Sequence, residues 1–82
     1  MELADTIEGM LSNDYKERYK AEYQQVKIRK DKLEKLIDSY NNNTITFKLD
    51  TPIELLIRQH YIMRDYLFTL GVRAKIEGIN LD

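Results

Sequence analysis

The side chains able to do chemistry in this sequence are six tyrosines, a basic run, several arginines outside that run and one histidine. Zero cysteines exclude disulfides, thiolate nucleophiles and Cys-based zinc sites, and His60 without a second histidine makes a weak metal site. His60 falls at helical spacing among Leu56, Met63 and Leu67, which favours a packed, hydrogen-bonded imidazole over a ligand or general base. No Ser/His/Asp arrangement or carboxylate pair has a recognisable signature, and Gly9, Gly71 and Gly78 form no phosphate loop. Neither enzymatic activity nor a resident cofactor is expected.

The basic run is Lys27, Arg29, Lys30, Lys32 and Lys35, offset by Asp31 and Glu34. A solvated helix face with i,i+4 pairs such as Asp31 to Lys35 accounts for it, and contact with a phosphate-bearing ligand or an acidic partner is the lesser alternative. Of the tyrosines, Tyr15, Tyr19, Tyr23 and Tyr40 fall on one helical stretch and Tyr61 and Tyr66 on another. Most read as core or interface residues with the hydroxyl at the edge. One group stands apart. Counting equal distances back from Tyr40 and forward from Pro52 brings Tyr19 level with Arg73 in an antiparallel hairpin, so Tyr15, Arg18, Tyr19 and Arg73 should meet at its open end. Aromatic faces stack on nucleobases and guanidinium groups grip phosphate, which makes this the best constellation for a nucleotide ligand.

The elements that must position these groups are legible from periodicity. Leu3, Ile7, Met10 and Leu11 predict a short amphipathic helix over about 2–11, ended by Gly9 and the polar triplet Ser12-Asn13-Asp14. From 14 to 40 there is no Pro or Gly, and Tyr19, Val26, Leu33 and Tyr40 recur every heptad, predicting one long helix of roughly 40 Å. Glu22 and Arg29 fall at the edge of its apolar stripe. The connection 41–51 opens on three asparagines, which tolerate left-handed backbone, and then alternates through Ile45, Phe47 and Leu49 as extended chain does. It is positioned to cross the hairpin or to add a strand to another chain.

Thr51-Pro52-Ile53-Glu54 carries the signature of a helix start: Thr51 as cap, Pro52 at the first helical position and Glu54 closing a capping box. The second long helix then spans about 52–77, with Gly78 as its left-handed end. Ile53, Leu56, His60, Met63, Leu67, Leu70 and Ala74 form its main face. Leu55, Ile57, Tyr61, Ile62, Tyr66 and Phe68 are apolar as well, more than a single partner helix can cover. Self-association is the expected remedy.

Composition agrees with this architecture. The chain has 82 residues, room for one domain over 1–82, and 43% hydrophobic content. A core of that size rarely supplies more than roughly 3 to 5 kcal/mol, which again favours burial between copies. Thirteen Lys and Arg against fourteen Asp and Glu give a net charge of -1, so general nucleic-acid binding is not expected on charge grounds. No apolar run approaches a membrane span, and Glu2, Asp5 and Glu8 stand where a signal peptide would be basic, so a cytoplasmic protein without a membrane partner is expected. The fold class expected is all-α: an antiparallel hairpin of two long helices with a short N-terminal helix, assembled as a homo-oligomer.

Four segments, Tyr15-Lys16-Glu17-Arg18-Tyr19-Lys20-Ala21-Glu22-Tyr23, Lys32-Leu33-Glu34-Lys35-Leu36, Pro52-Ile53-Glu54-Leu55-Leu56 and Arg73-Ala74-Lys75-Ile76-Glu77-Gly78-Ile79, together resemble a family of small helical-hairpin proteins encoded by phages and prophages. Their architecture is similar to the hairpin domain of viral sponge proteins, oligomers that sequester cyclic oligonucleotides or cyclic ADP-ribose isomers made by CBASS and Thoeris immune systems. The resemblance implies a non-catalytic immune-evasion protein whose partners are further copies of itself and a cyclic nucleotide signal, acting in the cytoplasm of a bacterial host. The better-known sponges carry a Gly-Tyr-Arg-type motif near the N-terminus, where this chain has Asn13-Asp14-Tyr15-Lys16 with Arg18 one turn on. On that correspondence Tyr15 stacks on the ligand, Arg18 or Lys16 holds its phosphate, and the site lies between chains. The ligand-binding set expected is therefore Tyr15, Lys16, Arg18, Tyr19 and Arg73. A helical interaction module that inhibits a host defence protein or nuclease through a helix face stays open as the alternative.

Overall fold

Asp14 starts the first long helix by accepting the Lys16 backbone N–H on Oδ1 at 2.9 Å, satisfying one of the donors that a helix start leaves free. In the computed structural model, which describes residues 1–82, that helix is one of three, and the chain contains no strand. A 3₁₀ turn over Leu3–Thr6 leads into α1 (Ile7–Met10); α2 spans Tyr15–Asn41 and α3 spans Ile53–Glu77. The two long helices run antiparallel, since Tyr15 bonds to Glu77, Tyr19 to Leu70 and Tyr66 to Glu22. The molecule measures 43 × 24 × 18 Å.

The second boundary departs from expectation by one residue. Pro52 is the cap, with extended backbone at φ -54 and ψ 140, and Ile53 is the first helical residue. Thr51 makes no side-chain capping bond; the Leu55 N–H reaches the Pro52 carbonyl at 3.1 Å instead. The fixed φ of proline suits either position. At the far end Gly78 does take the left-handed conformation, φ 70, and the Ile79 N–H closes back on the Ala74 carbonyl at 2.8 Å. This is the long bond of a Schellman turn, and it brings Ile79 onto Ala74 in the core.

Tyr19, Leu70, Ala74 and Ile79 form the central buried cluster, with Tyr23 and Leu81 packed against it. The N-terminal segment docks on α2 with little of its predicted apolar face: Ile7, Met10 and Leu11 are exposed, Leu3 is half-buried, and Thr6 is the residue it buries fully. The Thr6 hydroxyl donates to the Leu3 carbonyl at 2.7 Å and accepts from Gln25 Nε2 at 3.0 Å, so it enters the interior fully bonded. Gly9 lies within α1 rather than ending it. A Cβ there would stand 3.0 Å from Ala21 Cβ, and the missing side chain is what lets α1 approach α2.

On α3, all seven main-face positions predicted from periodicity are buried or half-buried. Leu55, Tyr61, Ile62, Phe68, Val72 and Ile76 face solvent. The connection after Asn41 turns through Asn43 at φ 57 and carries exposed Phe47 without pairing as a strand.

Candidate functional site at the open end of the hairpin

Tyr15 and Tyr19 project one turn apart from the start of α2, and Arg73 and Glu77 one turn apart from the end of α3. The antiparallel register brings the four together. The Tyr15 and Tyr19 rings meet edge-on with centroids 6.0 Å apart, and the Arg73 guanidinium carbon lies 5.1 Å from the centre of the Tyr19 ring. The Tyr19 hydroxyl donates to the Leu70 carbonyl at 2.6 Å, anchoring that ring in the core. Tyr15 is 46% exposed and offers an open aromatic face.

Glu77 ties the group together. Its Oε1 accepts from the Tyr15 hydroxyl at 2.7 Å, and its Oε2 accepts from Arg73 Nε at 3.3 Å and lies 3.3 Å from Arg73 Nη2. Arg73 Nη2 also donates to the Tyr15 hydroxyl at 3.3 Å. Half of the Arg73 side chain is exposed and further guanidinium N–H groups point free of these bonds. The hydrogen bond to Glu77 raises the Tyr15 phenol above its ordinary pKa, with loss of hydration adding to it. Burial raises that of Tyr19, against the pull of Arg73. One turn away Tyr66 donates to Glu22, and this bond together with burial raises the Tyr66 phenol.

The structure thus joins Tyr15, Tyr19 and Arg73, but it leaves the other two expected residues out. Arg18 turns to the chain before α2 and donates to the Ser12 carbonyl at 2.8 Å, where a backbone acceptor within reach competes with the cluster. Lys16 is exposed, a quarter turn or more from the Tyr15/Tyr19 line. Glu77 is the member that sequence reasoning missed. Its i,i+4 spacing from Arg73 was the available signal. The larger grooves, of about 270 to 380 Å³, lie elsewhere and none is lined by Tyr15, Tyr19 or Arg73, so the cluster is a surface patch of one chain.

His60 is packed as expected but lacks the expected hydrogen bond. Its Nε2 is buried, and Glu34 Oε2 at 3.7 Å is too far for more than an ionic contact. In the basic run, Lys30 takes both Asp31 at 2.9 Å and Glu34 at 3.1 Å in place of the expected Asp31 to Lys35 pair. Within the run only Lys30 has such partners, and Lys32 lies 3.7 Å from Glu2 of the N-terminal segment.

An aromatic pair with a bonded, half-exposed guanidinium is equipped to hold a flat ring and an anionic group side by side. No helix is long and apolar enough to cross a membrane. No curated protein and no solved structure matches the chain. The Sequestin family model does match, over residues 13–76, from the turn before α2 to the last turn of α3 and including Tyr15, Tyr19 and Arg73; the chain belongs to the Sequestin family.

Proposed function

We propose that the protein binds and sequesters a cyclic nucleotide second messenger of bacterial anti-phage defence, a cyclic oligonucleotide or a cyclic ADP-ribose isomer, without turning it over. The observation that carries this reading is the Arg73 guanidinium lying over Tyr19 beside the open face of Tyr15. A base stacks on Tyr15 while a phosphate takes the guanidinium N–H groups, replacing the Glu77 carboxylate as their acceptor. The family name, which denotes sequestration, and the likeness to viral sponges support binding as the end point. In this reading the protein is phage-encoded, works in the host cytoplasm, and acts as a homo-oligomer in which the surface patch of one chain is completed by another.

Calorimetric titration with cyclic di- and trinucleotides and cyclic ADP-ribose isomers tests it. One member should bind tightly, and Arg73→Ala should weaken that binding by roughly ten-fold to over a hundred-fold, as expected for a lost charge-assisted contact of about 1.5 to 3 kcal/mol. The same substitution should leave folding nearly intact, since the Arg73 head is half in water. Full affinity in Arg73→Ala would move the site elsewhere.

A further inference from the structure

Glu22 and Arg29 interrupt the apolar column of α2 that Tyr15 opens and Leu36 closes, each member a heptad from the next. Both charged side chains are exposed. Arg29 makes no ion pair within the chain, and Glu22 accepts only from the Tyr66 hydroxyl, a neutral donor. The two do not meet each other, because seven residues of helix hold them about 10 Å apart. In chain order the column is apolar, acidic, basic, apolar, and in reverse order it is its own complement: Tyr15 falls opposite Leu36 and Glu22 opposite Arg29. A second copy of the column, laid antiparallel, pairs every position, and charges beside an apolar seam are what set the orientation of helix pairs.

α3 carries a matching row on the same face. The bonds from Tyr66 to Glu22 and from Arg73 to Tyr15 tie the two rows together across the hairpin. Reversed against itself, the α3 row sets Ile62 opposite Tyr66, Gln59 opposite Thr69 and Leu55 opposite the stem of Arg73, and all six are exposed. The two rows also agree on position. The α2 column has its midpoint between Gln25 and Val26. Counted from the bonds of Tyr66 to Glu22 and of Tyr19 to Leu70, that level on α3 is Met63, next to Arg64, the midpoint of the α3 row. A single two-fold axis crossing both helices there generates both sets of pairs, as an interface between identical copies requires.

We infer that two copies of this chain pair face to face and antiparallel, α2 on α2 and α3 on α3, through reciprocal Glu22–Arg29 ion pairs beside reciprocal Ile62–Tyr66 contacts. The pairing lays the turn-side half of each copy over the open end of the other, with Leu36 of one copy across from Tyr15 of its partner. Each Tyr15/Tyr19/Arg73 patch is thereby completed by the second chain, and the pair holds two such sites, one at either end. The inference locates the second copy that the proposed function calls for and rests on that reading.

Charge reversal tests this register, and circular dichroism checks that the exposed substitutions leave the helices in place. Sedimentation velocity across the micromolar range should show the wild type associated. Glu22→Arg sets two positive groups together and Arg29→Glu two negative ones, and each should raise the dissociation constant roughly ten-fold or more. The double variant Glu22→Arg/Arg29→Glu restores opposite charges and should return the constant to within about three-fold of the wild type. A wild type that stays monomeric overturns both the interface and the self-association. Single variants as tight as the wild type, or a double variant as weak as the singles, overturn this interface alone. Calorimetric titration of the wild type with the cyclic nucleotides reads sequestration separately, so absent binding beside the expected swap pattern faults the ligand and supports the interface.

Discussion

The two ends of the hairpin are built differently. Every buried residue, Thr6, Tyr19, Ala21, Leu70, Ala74 and Ile79, lies toward the open end, where α1 packs on α2 and the C-terminal tail packs on Tyr19, Leu70 and Ala74. Toward the turn, Leu33, Ile37, Leu56 and Met63 reach only half-burial, and the buried Nε2 of His60 has no hydrogen bond. Two helices alone cannot close a core; further segments packed on them can. The aromatic and guanidinium cluster therefore stands on the better-packed end, and this fixes the geometry a ligand would meet.

Substitutions at matched positions break or sharpen that contrast. Leu70→Ala removes a fully buried side chain and should cost about 2 to 5 kcal/mol, enough to unfold much of a small domain, whereas Leu56→Ala at the loosely packed end should cost about 1 to 2 kcal/mol. Urea denaturation followed by circular dichroism measures both, and equal losses would remove the distinction between the ends. Tyr19→Phe should cost about 1 kcal/mol by leaving the Leu70 carbonyl without its hydroxyl partner. His60→Leu should move the other way, gaining ~1 kcal/mol or less, because it replaces an unbonded polar atom with carbon. A clear destabilisation there would mean that His60 has a partner.

How far these contrasts were legible in the sequence differs from residue to residue. The start of α2 and the main face of α3 follow from spacing, and the Tyr19/Arg73 level follows from counting along two uninterrupted helices. Arg18 was misplaced because a long guanidinium stem chooses among acceptors that only the docked Ser12 segment provides. Thr6 was missed because composition ranks threonine as a surface residue, and its burial depends on Gln25, nineteen residues away. Ile79 escaped because it follows the left-handed Gly78, beyond the reach of helical periodicity. The failed cap at Thr51 shows that a correct signature still allows the boundary to slip by one residue.

The smallest expected effect is a titration. The phenols of Tyr15, Tyr19 and Tyr66 are all raised, so they hold their protons to higher pH in the folded chain than in the unfolded one. The stability they contribute is intact below about pH 10 and is lost as pH rises through their folded values. Ultraviolet absorbance should show a late-titrating fraction that shrinks in Tyr15→Phe and vanishes in urea. If no late fraction appears, the bonds from Tyr15 to Glu77 and from Tyr66 to Glu22 do not persist in solution.

The central claim is sequestration at the open end, and heat release tests it most directly. The protein is mixed with each cyclic nucleotide, stripped of free ligand, heated to unfold, and the released small molecule identified by mass spectrometry. The account predicts that one nucleotide is retained in stoichiometric amount and released chemically unchanged, and that Arg73→Ala retains far less of it. Retention of none of them, or release of a cleaved product, would contradict it.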